Sequence, residues 1–245
     1  MITSKSNAFI KSVRALKDKK ERDLTGLFTA DGVKLVREAF ISGQNVFAVI
    51  GTNKGLSLIS DVDLCGVKTE EVSEEVFKSI SDEVTPQGVL AVIKKPQRPL
   101  RAPESDCLFL DGVSDPANVG AIIRTAAATG FCDVYMAEGA DAYSPKAIRS
   151  SMSGIFRVNV FTGKREELAE YITVPAFVAD MGGEDPFSVR REGNVCLIVG
   201  NEAHGVSEFM KNRAVRTLGL YMQNGMESLN AAVAAGVLMY ALTKK

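Results

Sequence analysis

Residues 105–245 alternate short apolar runs with helical stretches, and that alternation restricts the fold more than any other feature of the chain. Cys107–Leu110, Val134–Met136, Phe156–Phe161, Ala176–Ala179, Val195–Val199 and Leu218–Met222 are apolar runs of strand length. Between them, Val119–Thr129, the segment opened by Ser144-Pro145, Lys164–Tyr171 and Ser207–Asn212 carry helical patterning, and Glu227–Leu242 reads as a long Ala-rich terminal helix. Successive strands joined through helices must be mostly parallel, because a parallel pair needs a long crossover. A continuous apolar run such as Val195–Val199 belongs to a strand covered on both faces. The expected architecture is therefore α/β, a mostly parallel sheet with helices on both sides.

Ahead of it, KKPQRPLRAPE (residues 94–104) holds three of the chain's eight prolines. Proline disfavours helix and removes backbone donors, so this segment reads as an extended basic linker. The expected division is 1–95, a small α/β/α domain, then a linker at 96–104 and the larger domain at 105–245. Residues 5–22 read as a basic helix with Phe9, Val13 and Leu16 on its apolar stripe. A second helix carries Val33, Val36 and Phe40, with Gly43 at its end. Strands follow near Val46–Ile50 and Val67, with a short helix near Leu56–Ser60 between them. Ser73 caps a further helix, and Val89–Ile93 closes the unit as a strand.

Composition narrows the class. With 46% apolar and 24% charged residues, the 245-residue chain can bury a real core and is not a disordered polymer. The longest apolar run, Ala231–Leu242, is short of the ~20 residues a bilayer helix needs. MITSKSNAF has no apolar stretch after its first lysine, so no secretory signal is expected. Cys65, Cys107, Cys132 and Cys196 are far apart and form no C-x-x-C pair, which argues against a disulfide framework or a zinc site and for a reduced, cytoplasmic protein. A lone histidine, His204, excludes a His-rich metal centre and reads as an exposed loop residue. No G-x-G-x-x-G, P-loop or G-x-S-x-G is present.

Three segments place small and polar residues where a strand gives way to a loop or helix, the position at which open α/β sheets bind ligands. In LDGVSDPANVGAIIR, Asn118 is placed to cap a helix, Gly120 permits close backbone approach, and Arg124 follows one to two turns on, suited to phosphate or carboxylate. In LIVGNEAHGVS, a buried strand runs into Gly200, Asn201 and Glu202, with Gly205 closing the turn. In LGLYMQNGMESLNAAVAAG, Ser228 can cap the terminal helix and Asn230 is a poor helix former at its mouth.

Together the three resemble the SpoU family of RNA ribose 2′-O-methyltransferases, within the SPOUT superfamily. Asn118, Gly120 and Arg124 match its N-x-G-x-x-x-R motif, Gly200, Glu202 and Gly205 its G-x-E motif with a downstream Gly, and Glu227–Asn230 its E-S-L-N motif. The resemblance covers 105–245, while FTADGVKLVREAF, residues 28–40, carries a weaker similarity to the substrate-binding domain often fused ahead of it. It implies a C-terminal trefoil knot, a homodimer, RNA (ribosomal or transfer) as substrate, and S-adenosylmethionine as cofactor, with no metal. The cofactor would be lined by Ala179, Asp180, Met181, Gly182, Gly200, Asn201, Leu220, Met222 and Leu229. Tyr221 departs from the family's usual proline and bears on the adenine side.

The resemblance assigns catalysis to Arg124, Asn118, Glu202, Ser228 and Asn230. Arginine is a poor base, so stabilisation of a developing alkoxide, or help from a phosphate, is the easier role for Arg124. Glu202 would orient the guanidinium or the ribose, and the neutral groups would hold the ribose. Although the net charge is −1, Lys5, Lys11, Arg14, Lys17, Lys19, Lys20 and Arg22 face only Asp18 and Glu21, and Lys94, Lys95, Arg98 and Arg101 stud the linker. Lys11, Arg14, Lys17, Lys19, Lys20, Arg22, Lys94 and Lys95 are the candidate RNA contacts. A non-catalytic RNA-binding or assembly factor, and a SPOUT enzyme acting on a base, stand as alternatives at this point.

Overall fold

The structure is a computed structural model and describes residues 1–64 and 66–243; Cys65 lies outside the described residues. The first part of the chain runs α1 (Ala8–Ala15), α2 (Lys19–Thr25), β1 (Leu27–Asp31), α3 (Val33–Ile41), β2 (Val46–Gly51), α4 (Asn53–Ser57), β3 (Lys68–Glu71), α5 (Glu74–Ile80) and β4 (Val89–Lys94). The sheet order is β1-β4-β2-β3, with β4 antiparallel to both neighbours and β2 parallel to β3. Alternation in β4 builds two layers: Leu90 and Val92 join Ile10, Val13 and Phe77 on one face, while Val89, Ala91 and Ile93 join Leu35 and Val36 on the other. The expected single basic helix is two. Asp18 accepts from the Lys20 amide and starts α2, ending the run after Leu16.

The second part runs β5 (Cys107–Asp111), α6 (Pro116–Thr129), β6 (Asp133–Ala137), α7 (Pro145–Ser151), a 3-10 turn (Gly154–Arg157), β7 (Asn159–Gly163), α8 (Arg165–Ala169), β8 (Ala176–Glu184), β9 (Cys196–Gly200), α9 (Glu208–Lys211), β10 (Arg216–Leu218) and α10 (Ala231–Leu242). The sheet is parallel throughout, in the order β10-β8-β9-β5-β6-β7. Leu108 and Leu110 face the layer of α6, α7 and α10; Cys107 and Phe109 face that of α8 and α9. Both faces are covered, as the apolar runs require.

Four boundaries differ from the sequence reading, with consequences for the site. β10 is Arg216–Leu218 and not Leu218–Met222, so Leu220 and Met222 stand on loop. α6 starts at Pro116 with Asp115 as its cap, since proline at the first position is pre-set for the helix and Asp115 accepts from the Ala117 amide. Asn118 is therefore not the cap but an inward-facing residue of the first turn. α10 starts at Ala231, and Asn230 is its cap, accepting from the amides of Ala232 and Val233, so Glu227–Leu229 are loop rather than helix. β8 extends past Ala179, but its register with β10 jumps from Val178–Thr217 to Glu184–Leu218, which throws residues 179–183 out as a bulge.

The segment joining the two parts is fastened down. Asp133, buried at the start of β6, accepts from Arg101 (3.0 and 3.3 Å), the Glu104 amide and Asn159. The parts also share a core through Phe28 and Tyr143, whose ring centroids are 5.0 Å apart.

Candidate active site

The three sequence segments meet at the carboxyl ends of β5 and β9. Gly200 ends β9 where a Cβ would lie 2.2 Å from the Gly205 carbonyl carbon and from the Val206 nitrogen, so only glycine allows the 200–205 turn to close on itself. Asn201 and Gly205 exchange backbone hydrogen bonds at 2.9 Å across that turn. The Asn201 side chain accepts from the amides of Ala203 and His204 and donates to the Gly112 carbonyl, tying the second segment to the first. His204 is exposed in this turn.

The turn aims Glu202 back at the start of α6. Its carboxylate accepts from the Ser114 amide (3.0 Å) and hydroxyl (2.8 Å), the Asp115 amide (3.2 Å) and Asn118 Nδ2 (2.8 Å). Asn118 Oδ1 in turn accepts from Asn230 Nδ2 at 3.0 Å, and Asn230 caps α10. One hydrogen-bonded chain, Glu202–Asn118–Asn230, thus links all three segments. Desolvation pushes the Glu202 pKa up, but the hydrogen bonds from Ser114 and Asn118 outweigh it and hold the carboxyl down at about 2. The expectation that Glu202 orients Arg124 is corrected: its acceptor sites face Ser114, Asp115 and Asn118. Arg124 is exposed and makes no hydrogen bond or ion pair with a described residue.

The chain forms a wall between two clefts. On one side is a cleft of about 700 Å³ lined by Ala179, Asp180, Met181, Gly200, Asn201, Leu220, Met222, Ser228 and Leu229, eight of the nine expected cofactor positions plus Ser228. Gly182 is the exception: it takes φ +75° at the bend of the β8 bulge and does not line the cleft. Asp180 is paired with Lys211 at 3.1 Å, a lining residue of α9 that no sequence pattern singled out. On the other side is a cleft of about 900 Å³ lined by Asn118, Arg124, Arg149, Ser150 and the outer face of α10. Asn230 borders both. Ser228 stands in the first cleft, outside the hydrogen-bonded chain.

The first cleft suits S-adenosylmethionine. Its size is in the range of small-molecule sites, Leu218, Leu220, Leu229 and Leu238 give apolar walls, and Glu227 is a lining carboxylate suited to a cationic ligand. Among the described residues, no group of three or more His, Cys, Asp or Glu is placed to hold a metal ion.

The candidate RNA contacts divide. Lys11, Lys20 and Lys94 are exposed, and Arg14 half-exposed, without an ion-pair partner among the described residues. Lys17 binds the Ser81 carbonyl and Asp82, while Lys19 and Lys95 share Asp23, at 2.7 and 2.8 Å. Arg22 is a correction. Only 3% exposed, it pairs with Asp141 at 2.8 Å and donates to the carbonyls of Leu16 and Lys17, so its guanidinium is a tie between the two parts and not a phosphate contact. Arg101 is likewise committed to Asp133.

Two clefts that meet at a polar wall beyond the carboxyl ends of a parallel α/β sheet provide adjacent places for two ligands. Residues 106–240 match the model of the SpoU rRNA Methylase family, and residues 7–91 match that of the MRM3-like substrate binding domain. The chain is 32% identical over 249 residues to the 23S rRNA (guanosine(2553)-2′-O)-methyltransferase RlmP of Bacillus subtilis (strain 168), with 98% of each chain covered. It is 26% identical over 264 residues to the 23S rRNA (uridine(2479)-2′-O)-methyltransferase of Streptomyces viridochromogenes, covering 100% of this chain and 92% of that one. The crystal structure of the AdoMet-bound rRNA methyltransferase from Sinorhizobium meliloti superposes with a TM-score of 0.88 at 28% identity, over 98% of this chain and 95% of that one. The chain belongs to the SpoU rRNA methylase family.

Proposed function

We propose that this protein methylates a ribose 2′-hydroxyl of ribosomal RNA, with S-adenosylmethionine in the cleft of Leu220 and Leu229 and the ribose in the cleft of Arg124. The observation that carries this reading is the shared wall, Glu202–Asn118–Asn230, with an unpaired Arg124 on the acceptor side.

When bound, S-adenosylmethionine supplies a sulfonium methyl group. The chain's own residues then have separable tasks. Asn230, bordering both clefts, fixes where donor and acceptor meet. Glu202, with its carboxyl held at about 2 and its acceptor sites in use, is too weak a base to take the hydroxyl proton, and its work is to hold Asn118 and the 114–115 loop. Arg124 does not deprotonate either. Its role is to stabilise the oxyanion that develops at O2′, while the proton leaves to solvent. Ser228 is placed on the donor side as a hydrogen-bonding hydroxyl.

The functional unit we propose is a homodimer. α10 carries no charged residue, yet only Ala235, Leu238, Met239 and Leu242 are buried, leaving Val233 (52% exposed) and Tyr240 (62%) outward beside exposed Met152 and Phe187. A second copy of the chain is the occupant that fits the outer part of this face; because Met152, Phe187, Val233 and Tyr240 also line the acceptor cleft, the partner would form its outer wall, with the ribose entering between the two protomers. The knot belongs to the same reading, supported by β10 lying beside β8 while α10 packs back on α6. Free Cys107, Cys132 and Cys196 and a ribosomal substrate support a cytoplasmic setting.

The test is transfer from labelled S-adenosylmethionine into rRNA from cells lacking the gene, followed by digestion to nucleosides. A labelled 2′-O-methyl nucleoside, lost with Arg124→Ala, is the expected result. Label on a base, or cofactor and RNA binding without transfer to any rRNA, would overturn it.

A further inference from the structure

The acceptor cleft holds two guanidinium groups, and only Arg124 is accounted for. Arg149, in the last turn of α7, lines the same cleft with Ser150. It is brought there by Gly120. A Cβ at that position would lie 2.4 Å from the Ala147 carbonyl oxygen, 2.6 Å from Ser150 Cβ and 3.0 Å from the Ser151 nitrogen. The glycine two residues after Asn118 and four before Arg124 therefore serves to seat the end of α7 on α6. Two guanidinium groups lining one cleft suit an anionic ligand. An RNA acceptor brings one, in the phosphodiester beside the reacting ribose.

The only acid within ion-pair distance of Arg149 among the described residues is Glu83, at 3.2 Å, in the segment between α5 and β4 of the N-terminal part. Arg149 also borders a small gap lined by Asp31, Asp82 and Glu83. Its side chain thus stands between an acidic corner of the substrate-binding part and the open cleft of Arg124. Arg149 is exposed (48%) and Glu83 half-buried (32%), so the bond is open to solvent and exchangeable and contributes little to the fold.

Resting on the methyltransferase reading, we propose that Arg149 is a second phosphate-binding guanidinium of the acceptor site, held by Glu83 when RNA is absent and transferred to the substrate's phosphodiester when RNA binds. It is a positioning residue: it holds the backbone next to the ribose, while Arg124 acts at the reacting oxygen.

The two partners give opposite expectations, which separates this role from a merely structural bridge. Methyl transfer into an unmodified transcript of the large ribosomal RNA is measured at several salt concentrations, with S-adenosylmethionine binding followed calorimetrically as a control. Arg149→Ala is expected to raise KM for RNA about ten-fold, the loss of one good charge-assisted contact, and to lower the salt slope by about one. Arg149→Lys should restore the slope but only part of the affinity, since lysine binds phosphate as a point charge. Glu83→Gln should lower KM, because the competitor is gone. Cofactor binding should not change in any of the three. KM moving in the same direction for Arg149→Ala and Glu83→Gln would make the bridge structural and overturn the proposal. An unchanged KM and salt slope in Arg149→Ala would overturn it too, while an active wild type leaves the methyltransferase reading standing. A wild type that methylates no RNA removes that reading and this inference together.

Discussion

The Glu202–Asn118–Asn230 chain should behave energetically as one unit, and a double-mutant cycle measures it. Asn118 is 8% exposed, donates to an ionised carboxylate at 2.8 Å and accepts from Asn230 at 3.0 Å. A hydrogen bond to a charged group contributes about 1.5–3 kcal/mol and a neutral one about 1 kcal/mol, with the lower ends fitting a site at a cleft rim. Asn118→Ala should therefore cost about 2–3 kcal/mol, or about 4–12 °C in Tm for a chain of this length. Glu202→Ala removes the same bond together with those from Ser114 and Asp115. Because one bond is common to both variants, the double mutant should be less destabilised than their sum by about 1–2 kcal/mol. Equilibrium urea unfolding of the four proteins gives the coupling, and methyl transfer should fall about 100-fold in Asn118→Ala as Asn230 loses its anchor. Additivity within about 0.5 kcal/mol would refute the reasoning, since residues that share a bond of this kind cannot act independently.

Lowering pH should leave this site intact until strongly acidic conditions. The folded pKa of Glu202 is below its unfolded value, so its stabilising contribution is fully present above pH ~4.5 and is lost as pH falls toward 2; acid unfolding of Glu202→Gln should lack that component. Arg22→Ala should destabilise by about 3–5 kcal/mol by stranding Asp141, yet leave the salt slope of RNA binding unchanged. Lys20→Glu should reduce that slope without a comparable loss of Tm, and binding titrations at several salt concentrations check both. Val233→Glu with Tyr240→Glu should convert a dimer to a monomer in sedimentation velocity; a dimer that survives both charges would place the interface elsewhere.

The sequence made the strands legible because each core strand serves two apolar layers, leaving uninterrupted runs such as Cys196–Val199. Caps were legible where the capping residue precedes its helix directly, as at Ser73 and Ser144. The site was legible as three motifs but not as a mechanism of assembly. Asn118 looked like a cap because Asn is a common one, and Asp115-Pro116 three residues earlier was the stronger signal. That placement decides the chemistry, since a capping Asn118 would spend its oxygen on α6, whereas a residue inside the first turn has both ends of its amide free for Glu202 and Asn230.

What stayed hidden depends on partners remote in sequence. Arg22 and Lys20 are two residues apart, and nothing local distinguishes them. Arg22 finds Asp141 119 residues away and is buried, while Lys20 faces solvent. Periodicity reports which face of an element is apolar, and it is silent on which charge lies opposite. The same limit applies at Arg149, whose role follows from Gly120 admitting α7 and from Glu83 in the other part of the chain. A basic residue becomes an RNA contact only when the fold leaves its charge unspent or exchangeable. On that criterion Arg22 and Arg101 drop out of the candidate binding surface, Lys11, Arg14, Lys20 and Lys94 keep an unspent charge on the N-terminal part, and Arg124 with Arg149 are the contacts proposed at the reacting ribose.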